Sequence, residues 1–157
     1  MSGLGLRDFS HITLRVSDME RALAFYRDGL GLRPIFDVEL AGPGLEAVTG
    51  AKHAKGRMVG LLAPGTGKVC IELLGFVHPA SERPPQGRFT GYSNLSLSVD
   101  DLDAAYEACK ARGLNPLQKP VEVGGVRMFF LADPDGTPIE LIQFPRAATT
   151  SAAFNGV

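Results

Sequence analysis

Tryptophan is absent from this chain, cysteine occurs only at positions 70 and 109, and histidine only at 11, 53 and 78. Two cysteines are too few for a disulfide framework or a thiolate metal cluster. The missing indole removes a broad flat surface for stacking an aromatic ligand. Charge of either sign is also not in excess: 16 Lys and Arg stand against 17 Asp and Glu, a formal net charge of −1. Without a basic surplus to neutralise phosphates, nucleic acid is not an expected partner. No apolar run approaches a membrane-spanning length, and the opening residues, MSGLGLRDFSH, contain no apolar signal-like core. A cytoplasmic location with no membrane partner is therefore expected. What is present is ordinary globular composition, 45% hydrophobic and 21% charged in 157 residues, enough for one domain or two closely joined halves with a real core.

The chain carries the same pattern twice. In residues 9–16, Ile12, Leu14 and Val16 alternate with His11, Thr13 and Arg15, the period of a strand with two unlike faces. Ser17-Asp18-Met19-Glu20 has the form of a capping box with Ser17 as the cap, and Met19, Ala22, Leu23 and Tyr26 follow at helical spacing. Gly29 and Gly31 offer a stop, and strands are predicted at about 33–39, 57–63 and 68–74. The second copy begins with Leu95, Leu97 and Val99 alternating with Asn94, Ser96 and Ser98. Asp100-Asp101-Leu102-Asp103 places acidic groups in a helix's first turn, with Asp100 as the cap. Leu102, Ala105, Tyr106 and Cys109 form its apolar stripe and Gly113 its stop. Strands at about 117–123, 127–132 and 138–144 follow, the last two joined by the turn Asp133-Pro134-Asp135-Gly136.

The order βαβββ thus occurs twice. His11 aligns with Asn94 (94 − 11 = 83), Ser17 with Asp100 (100 − 17 = 83) and Glu72 with Glu140 (140 − 72 = 68). The second copy is shorter by 83 − 68 = 15 residues, and the surplus falls in the Gly- and Ala-rich stretch 40–56, read as a loop or short helix. The expected organisation is a first module over 9–75, a Pro-, Gly- and Arg-rich linker over 76–91, a second module over 92–144, and a tail over 145–157 that is mobile unless a partner holds it.

A four-stranded sheet with a helix on one face leaves its other face uncovered. The expected fold is α+β: two tandem βαβββ modules forming a curved, cavity-lining mixed sheet with the helices outside. Ile12, Leu14 and Val16 then pack on the first helix, as do Val69, Ile71 and Leu73. His11, Thr13, Arg15, Cys70 and Glu72 look into the cavity. In the second module Leu95, Leu97 and Val99 face the helix, and Asn94, Ser96 and Ser98 look inward.

Four positions stand out: His11 and Asn94 on the first strand of each module, Glu72 and Glu140 on the last. Singly, each fits a wet sheet face. Jointly, equivalent positions in both modules carry ligand-type residues on one inferred face, where neighbouring carboxylates would repel without a cation or protons. The stretches HITLRVSDMERALAFYRDGLGL, VCIELLGF, NLSLSVDDLDAAYEACKARGL and MFFLADPDGTPIELIQF carry a resemblance to the vicinal oxygen chelate (glyoxalase, bleomycin resistance, dioxygenase) superfamily. It covers about residues 9–144 and is weakest over 40–56. The resemblance implies a divalent metal held by one residue from each of the four strands: His11, Glu72, Asn94 and Glu140. Relatives with a working metal site commonly carry His where this chain has Asn94. An amide oxygen is a neutral hard donor, weaker toward zinc or nickel than imidazole. One nitrogen and three oxygen donor groups favour manganese, magnesium or iron(II), with zinc or nickel possible. His53 and His78, in the insertion and the linker, are expected at the surface.

The resemblance implies foremost a glyoxalase-like, metal-dependent isomerase or lyase that moves a proton next to a carbonyl of a small molecule. Glu140 is the candidate base and Glu72 its pseudo-symmetric counterpart. Arg15 lies about 13 Å along the strand from His11; it is read as a salt-bridge residue, with an anionic substrate group as the other option. The alternative is a metal-free small-molecule binder of the bleomycin-resistance kind, which the exchange of a strong ligand for Asn94 favours. Iron-dependent oxygenation ranks below both, because it asks for two histidines. A homodimer is expected, since open sheet edges need covering.

Overall fold

A computed structural model describes residues 10–65, 67, 71–82 and 91–145. The chain divides into two compact units, Met1–Arg83 and Pro84–Val157. Val69 and Cys70, the linker residues 83–90 and the tail residues 146–157 lie outside the described residues.

The first unit runs β1 (Ile12–Arg15), α1 (Met19–Leu23) continued by a π-helical turn over Ala24–Gly29, β2 (Arg33–Ala41), α2 (Pro43–Thr49), β3 (Lys55–Leu62) and β4 (Ile71–His78). Its four strands are ordered β1-β4-β3-β2, with β1 parallel to β4 and the other pairs antiparallel. Helix α1 packs on β4. Leu14, Val16, Val59, Leu61, Ile71 and Leu73 are buried, together with Ala22, Leu23, Phe25 and Tyr26 of the helical segment. The alternation in β1 therefore resolves as expected, with Leu14 buried and Thr13 and Arg15 exposed.

The second unit repeats this plan with β5 (Leu95–Ser98), α3 (Leu102–Ala111), β6 (Val121–Val123), β7 (Val126–Ala132) and β8 (Pro138–Gln143), in the order β5-β8-β7-β6. Again the outer pair, β5 and β8, is parallel and the rest antiparallel. Helix α3 packs on β7 and β8, burying Leu102 and Cys109, and Tyr106 meets Phe129 edge-on at 5.3 Å. Both units are α+β with four-stranded mixed sheets. Among the described residues no helix is long and apolar enough to cross a membrane.

Several boundaries differ from the sequence reading. The helix caps are Asp18 and Asp101, not Ser17 and Asp100: Asp18 Oδ1 accepts from the Arg21 N–H at 3.0 Å and Asp101 Oδ1 from the Ala104 N–H at 2.9 Å. Asp18 and Asp101 are the residues with the extended backbone of a cap, which places their side chains on the free N–H groups of the first turn. The offset survives the correction (101 − 18 = 83). Strand β4 continues to His78, taking Phe76, Val77 and His78 out of the linker, with Lys55 of β3 opposite His78. The second strand of the second module shrinks from 117–123 to Val121–Val123. Pro116 and Pro120 interrupt the segment, since proline offers no N–H to a ladder. Leu117 alone donates its N–H to the Phe130 carbonyl, at 2.8 Å. The 40–56 surplus is the end of β2, α2 and the start of β3, and His53 there is exposed.

Candidate metal centre

In each unit the two singled-out residues are brought together by the parallel strand pair. In the first unit Thr13 and Glu72 are Cα partners across β1 and β4. His11, just before β1, then reaches the same carboxylate: its Nε2 lies 3.3 Å from Glu72 Oε2. The Thr13 hydroxyl donates to that oxygen at 3.3 Å, and Ser10 Oγ lies 2.9 Å from the other ring nitrogen, His11 Nδ1. The Glu72 side chain is only 13% exposed against 38% for His11, so the carboxylate sits at the protected end of the pair.

The second unit repeats the geometry. Ser96 and Glu140 are Cα partners across β5 and β8, and the Asn94 amide donates to Glu140 Oε2 at 3.4 Å. On the far side of each carboxylate the next strand supplies Gly60 opposite Glu72 and Phe130 opposite Glu140. The Phe36 ring covers Gly60, where an added Cβ would overlap it. A phenyl ring thus stands beside each glutamate, one borrowed from β2 and one built into β7.

Two donors held about 2.1 Å from one ion at tetrahedral or octahedral angles lie roughly 3.0–3.4 Å apart. The His11–Glu72 separation of 3.3 Å fits this, and so does the Asn94–Glu140 separation of 3.4 Å once the amide turns its oxygen forward. Each unit thus brings two candidate donors together within its own sheet. Among the described residues no group of three or more His, Cys, Asp or Glu side chains is gathered to hold an ion. His53 and His78 are exposed, the latter at the end of β4 and not in a linker.

Arg15 was expected in a salt bridge. Its guanidinium instead lies over the Phe76 ring, 5.0 Å from the centroid, a cation–π contact on the face that carries Thr13. The ion pairs that do form were not anticipated. Arg57 of β3 forks onto Asp37 at 2.8 and 2.7 Å and reaches Glu20 of α1 at 2.6 Å. Arg127 of β7 forks onto Asp103 of α3 at 3.0 and 2.8 Å. Hydrogen bonds from Arg57 hold the Asp37 carboxyl below its ordinary value, and those from Arg127 do the same for Asp103. Glu20 and Asp103 share the 83-residue offset (103 − 20 = 83), a signal available in the sequence.

Two units of the same βαβββ plan each place a first-strand side chain against a last-strand glutamate. The chain belongs to the Glyoxalase/Bleomycin resistance protein/Dioxygenase superfamily, whose family model matches residues 8–141. A lactoylglutathione lyase of Haemophilus influenzae is 30% identical over 142 residues, covering 85% of this chain and 90% of the relative. The Escherichia coli K12 protein YaeR, itself uncharacterized, is 32% identical over 141 residues, covering 89% and 98%. Among solved structures, a glyoxalase family protein from Bacillus cereus superposes with a TM-score of 0.78 at 20% identity, over 91% of this chain and 97% of that one. A superfamily member from Sphaerobacter thermophilus gives 0.62 at 27% identity, over 87% and 98%.

Proposed function

We propose that this protein is a metal-dependent isomerase or lyase of the glyoxalase type, moving a proton on a carbon next to a carbonyl of a small molecule. The observation that carries the reading is the duplicated donor pair, His11 with Glu72 and Asn94 with Glu140, each at the spacing of two ligands on one ion. His11, Glu72, Asn94 and Glu140 would hold the ion, and their oxygen-rich chemistry suits manganese, magnesium or iron(II) better than zinc or nickel. Such an ion supplies Lewis-acid stabilisation of the negative charge that builds on the substrate's oxygen. Glu140 takes the proton from the carbon beside the carbonyl and returns it to the neighbouring carbon. Glu72 is its equivalent toward the opposite face of the planar intermediate, while His11 and Asn94 mainly hold the donor geometry. Several relatives are lactoylglutathione lyases, which makes the adduct of a 2-oxoaldehyde with glutathione the first substrate to try. A cytoplasmic homodimer is part of the same reading.

The test is metal analysis of protein purified without chelator, followed by turnover of that adduct with manganese added and removed. Metal-dependent formation of the thioester is the expected result. Glu140→Ala should abolish tight metal binding, and His53→Ala and His78→Ala should leave it unchanged. Equal loss in all three folded variants would show the ligands to be misassigned. The second reading, a metal-free small-molecule binder, is favoured by one observation, the amide of Asn94 where its counterpart is the imidazole of His11. Absence of metal and of turnover, with retained ligand binding, would select it.

A further inference from the structure

We infer that Ser10 and Thr13 are positioning residues that set the orientation of His11 and Glu72 for the ion; this rests on the metal-dependent reading above. Glu72 Oε2 is approached from two sides, by Thr13 Oγ1 at 3.3 Å and by His11 Nε2 at 3.3 Å. Thr13 is the Cα partner of Glu72 in the parallel ladder, so the backbone itself puts the hydroxyl beside the carboxylate. Its branched Cβ restricts χ1, which limits the directions the hydroxyl can take.

Ser10 acts on the other end of the pair, 2.9 Å from His11 Nδ1. A hydroxyl both donates and accepts, so it serves the ring in either tautomer. Nε2 lies against the Glu72 carboxylate and Nδ1 against the Ser10 hydroxyl, an arrangement that suits a neutral ring protonated on Nε2 with Ser10 donating to Nδ1. If His11 held an ion through one ring nitrogen, the other would carry the ring proton and could donate it to Ser10. A carbonyl or carboxylate in place of Ser10 would serve only the second state. The pattern recurs in the second unit. Ser10, His11 and Thr13 map at the 83-residue offset onto Ser93, Asn94 and Ser96, and Ser96 is the Cα partner of Glu140. In sequence, hydroxyl residues thus stand one before and two after the first-strand donor in both units.

Partners that orient a ligand without touching the metal typically govern affinity by about 10- to 100-fold. The variants are Ser10→Ala, Thr13→Val, which removes the hydroxyl at nearly constant shape, and Thr13→Ser, which retains it. Two measurements are made on the full chain: calorimetric titration with manganese alone, and nitrogen NMR of the imidazoles in the metal-free protein, where only three histidines contribute. We expect one Nε2–H tautomer for His11 in the wild type and a mixture in Ser10→Ala. Manganese affinity should fall about 10-fold or more in Ser10→Ala and Thr13→Val, and Thr13→Ser should recover it to within about threefold. Ser10 is exposed and outside the strand, so Ser10→Ala keeps the test alive if Thr13→Val folds poorly. Wild-type manganese affinity in both hydroxyl-free variants overturns the inference and leaves the proposed function standing. If the wild type binds no manganese, the inference falls together with the metal-dependent reading on which it rests, an outcome distinct from unchanged binding in the variants.

Discussion

At position 94 the second unit carries an amide where the first carries the imidazole of His11, yet the two donor pairs have nearly the same spacing, 3.4 and 3.3 Å. If these pairs hold an ion, Asn94→His adds a second imidazole at a separation already suited to one. Zinc, nickel and cobalt should bind more tightly, and magnesium should gain less, because imidazole suits the former ions better. Calorimetric titration of wild type and variant with zinc and magnesium checks this. No gain for zinc in a folded variant would mean that the site is not a metal centre, and the small-molecule binder would take its place. Gly60 invites a second test at this scale. It sits opposite Glu72 with the Phe36 ring laid over it, so Gly60→Ala must displace that ring. Denaturant unfolding should show a loss of about 1–3 kcal/mol, the usual range for overpacking. Phe36→Ala with Gly60→Ala should then lose less than the two single changes added together.

Between strand and helix, the duplicated ion pairs tie β3 to α1 through Arg57 and Glu20, and β7 to α3 through Arg127 and Asp103. Asp37 and Asp103 have folded carboxyl values below the ordinary 3.8, so their contribution is present above that value and is lost as pH falls through the folded value. Asp37→Asn with Asp103→Asn should lower the melting temperature slightly at pH 7, as exposed pairs contribute little, and should flatten its fall below about pH 4. A parallel fall in wild type and variant would count against the pairs. Phe129, fully buried and edge-on to Tyr106, is a stronger support: Phe129→Ala should cost about 3–5 kcal/mol. The apolar periodicity of β1, α1, β5 and α3 was legible in the sequence because each element has one buried face, and the 83-residue offset made both helix starts visible. Cap identity was not, since Ser17 and Asp18 are both capable acceptors and only backbone geometry chooses between them. The short β6 turned on two prolines inside an otherwise strand-like run. The arginine forks stayed hidden because a lone charge on a strand looks the same whether it meets water or a helix carboxylate. Of the site, the common face of His11, Glu72, Asn94 and Glu140 was inferred from strand alternation, whereas their pairing within each unit, Ser10 and the Phe76 partner of Arg15 depended on strand order and rotamers that spacing does not encode.

At the scale of the whole molecule, the two sheets end in β1 and β2 in one unit and in β5 and β6 in the other. Outer strands commonly discourage pairing with other chains by charge, proline, bulges or shortness. Strand β2 uses several of these devices: Arg33, Pro34, Asp37 and Glu39 lie along it, and its register slips between Pro34 and Phe36. Strand β6 is short and carries one charge, Glu122, but its two valines, Val121 and Val123, are 44% and 53% exposed, with Leu117 before them at 61%. Exposed apolar side chains on a short outer strand, next to a run broken by Pro116 and Pro120, are what association of two copies would cover. We therefore expect a homodimer, with twice the 16.7 kDa mass of the chain. Sedimentation velocity over a range of about 1–100 µM should show that mass if the copies pair tightly. Val121→Lys with Val123→Lys places two charges on β6 and should shift the population toward monomer without lowering the helix signal. A wild type that sediments only as monomer across that range would remove the dimer from the proposal, and a variant that dimerises as well as the wild type would show that pairing uses an edge other than β6.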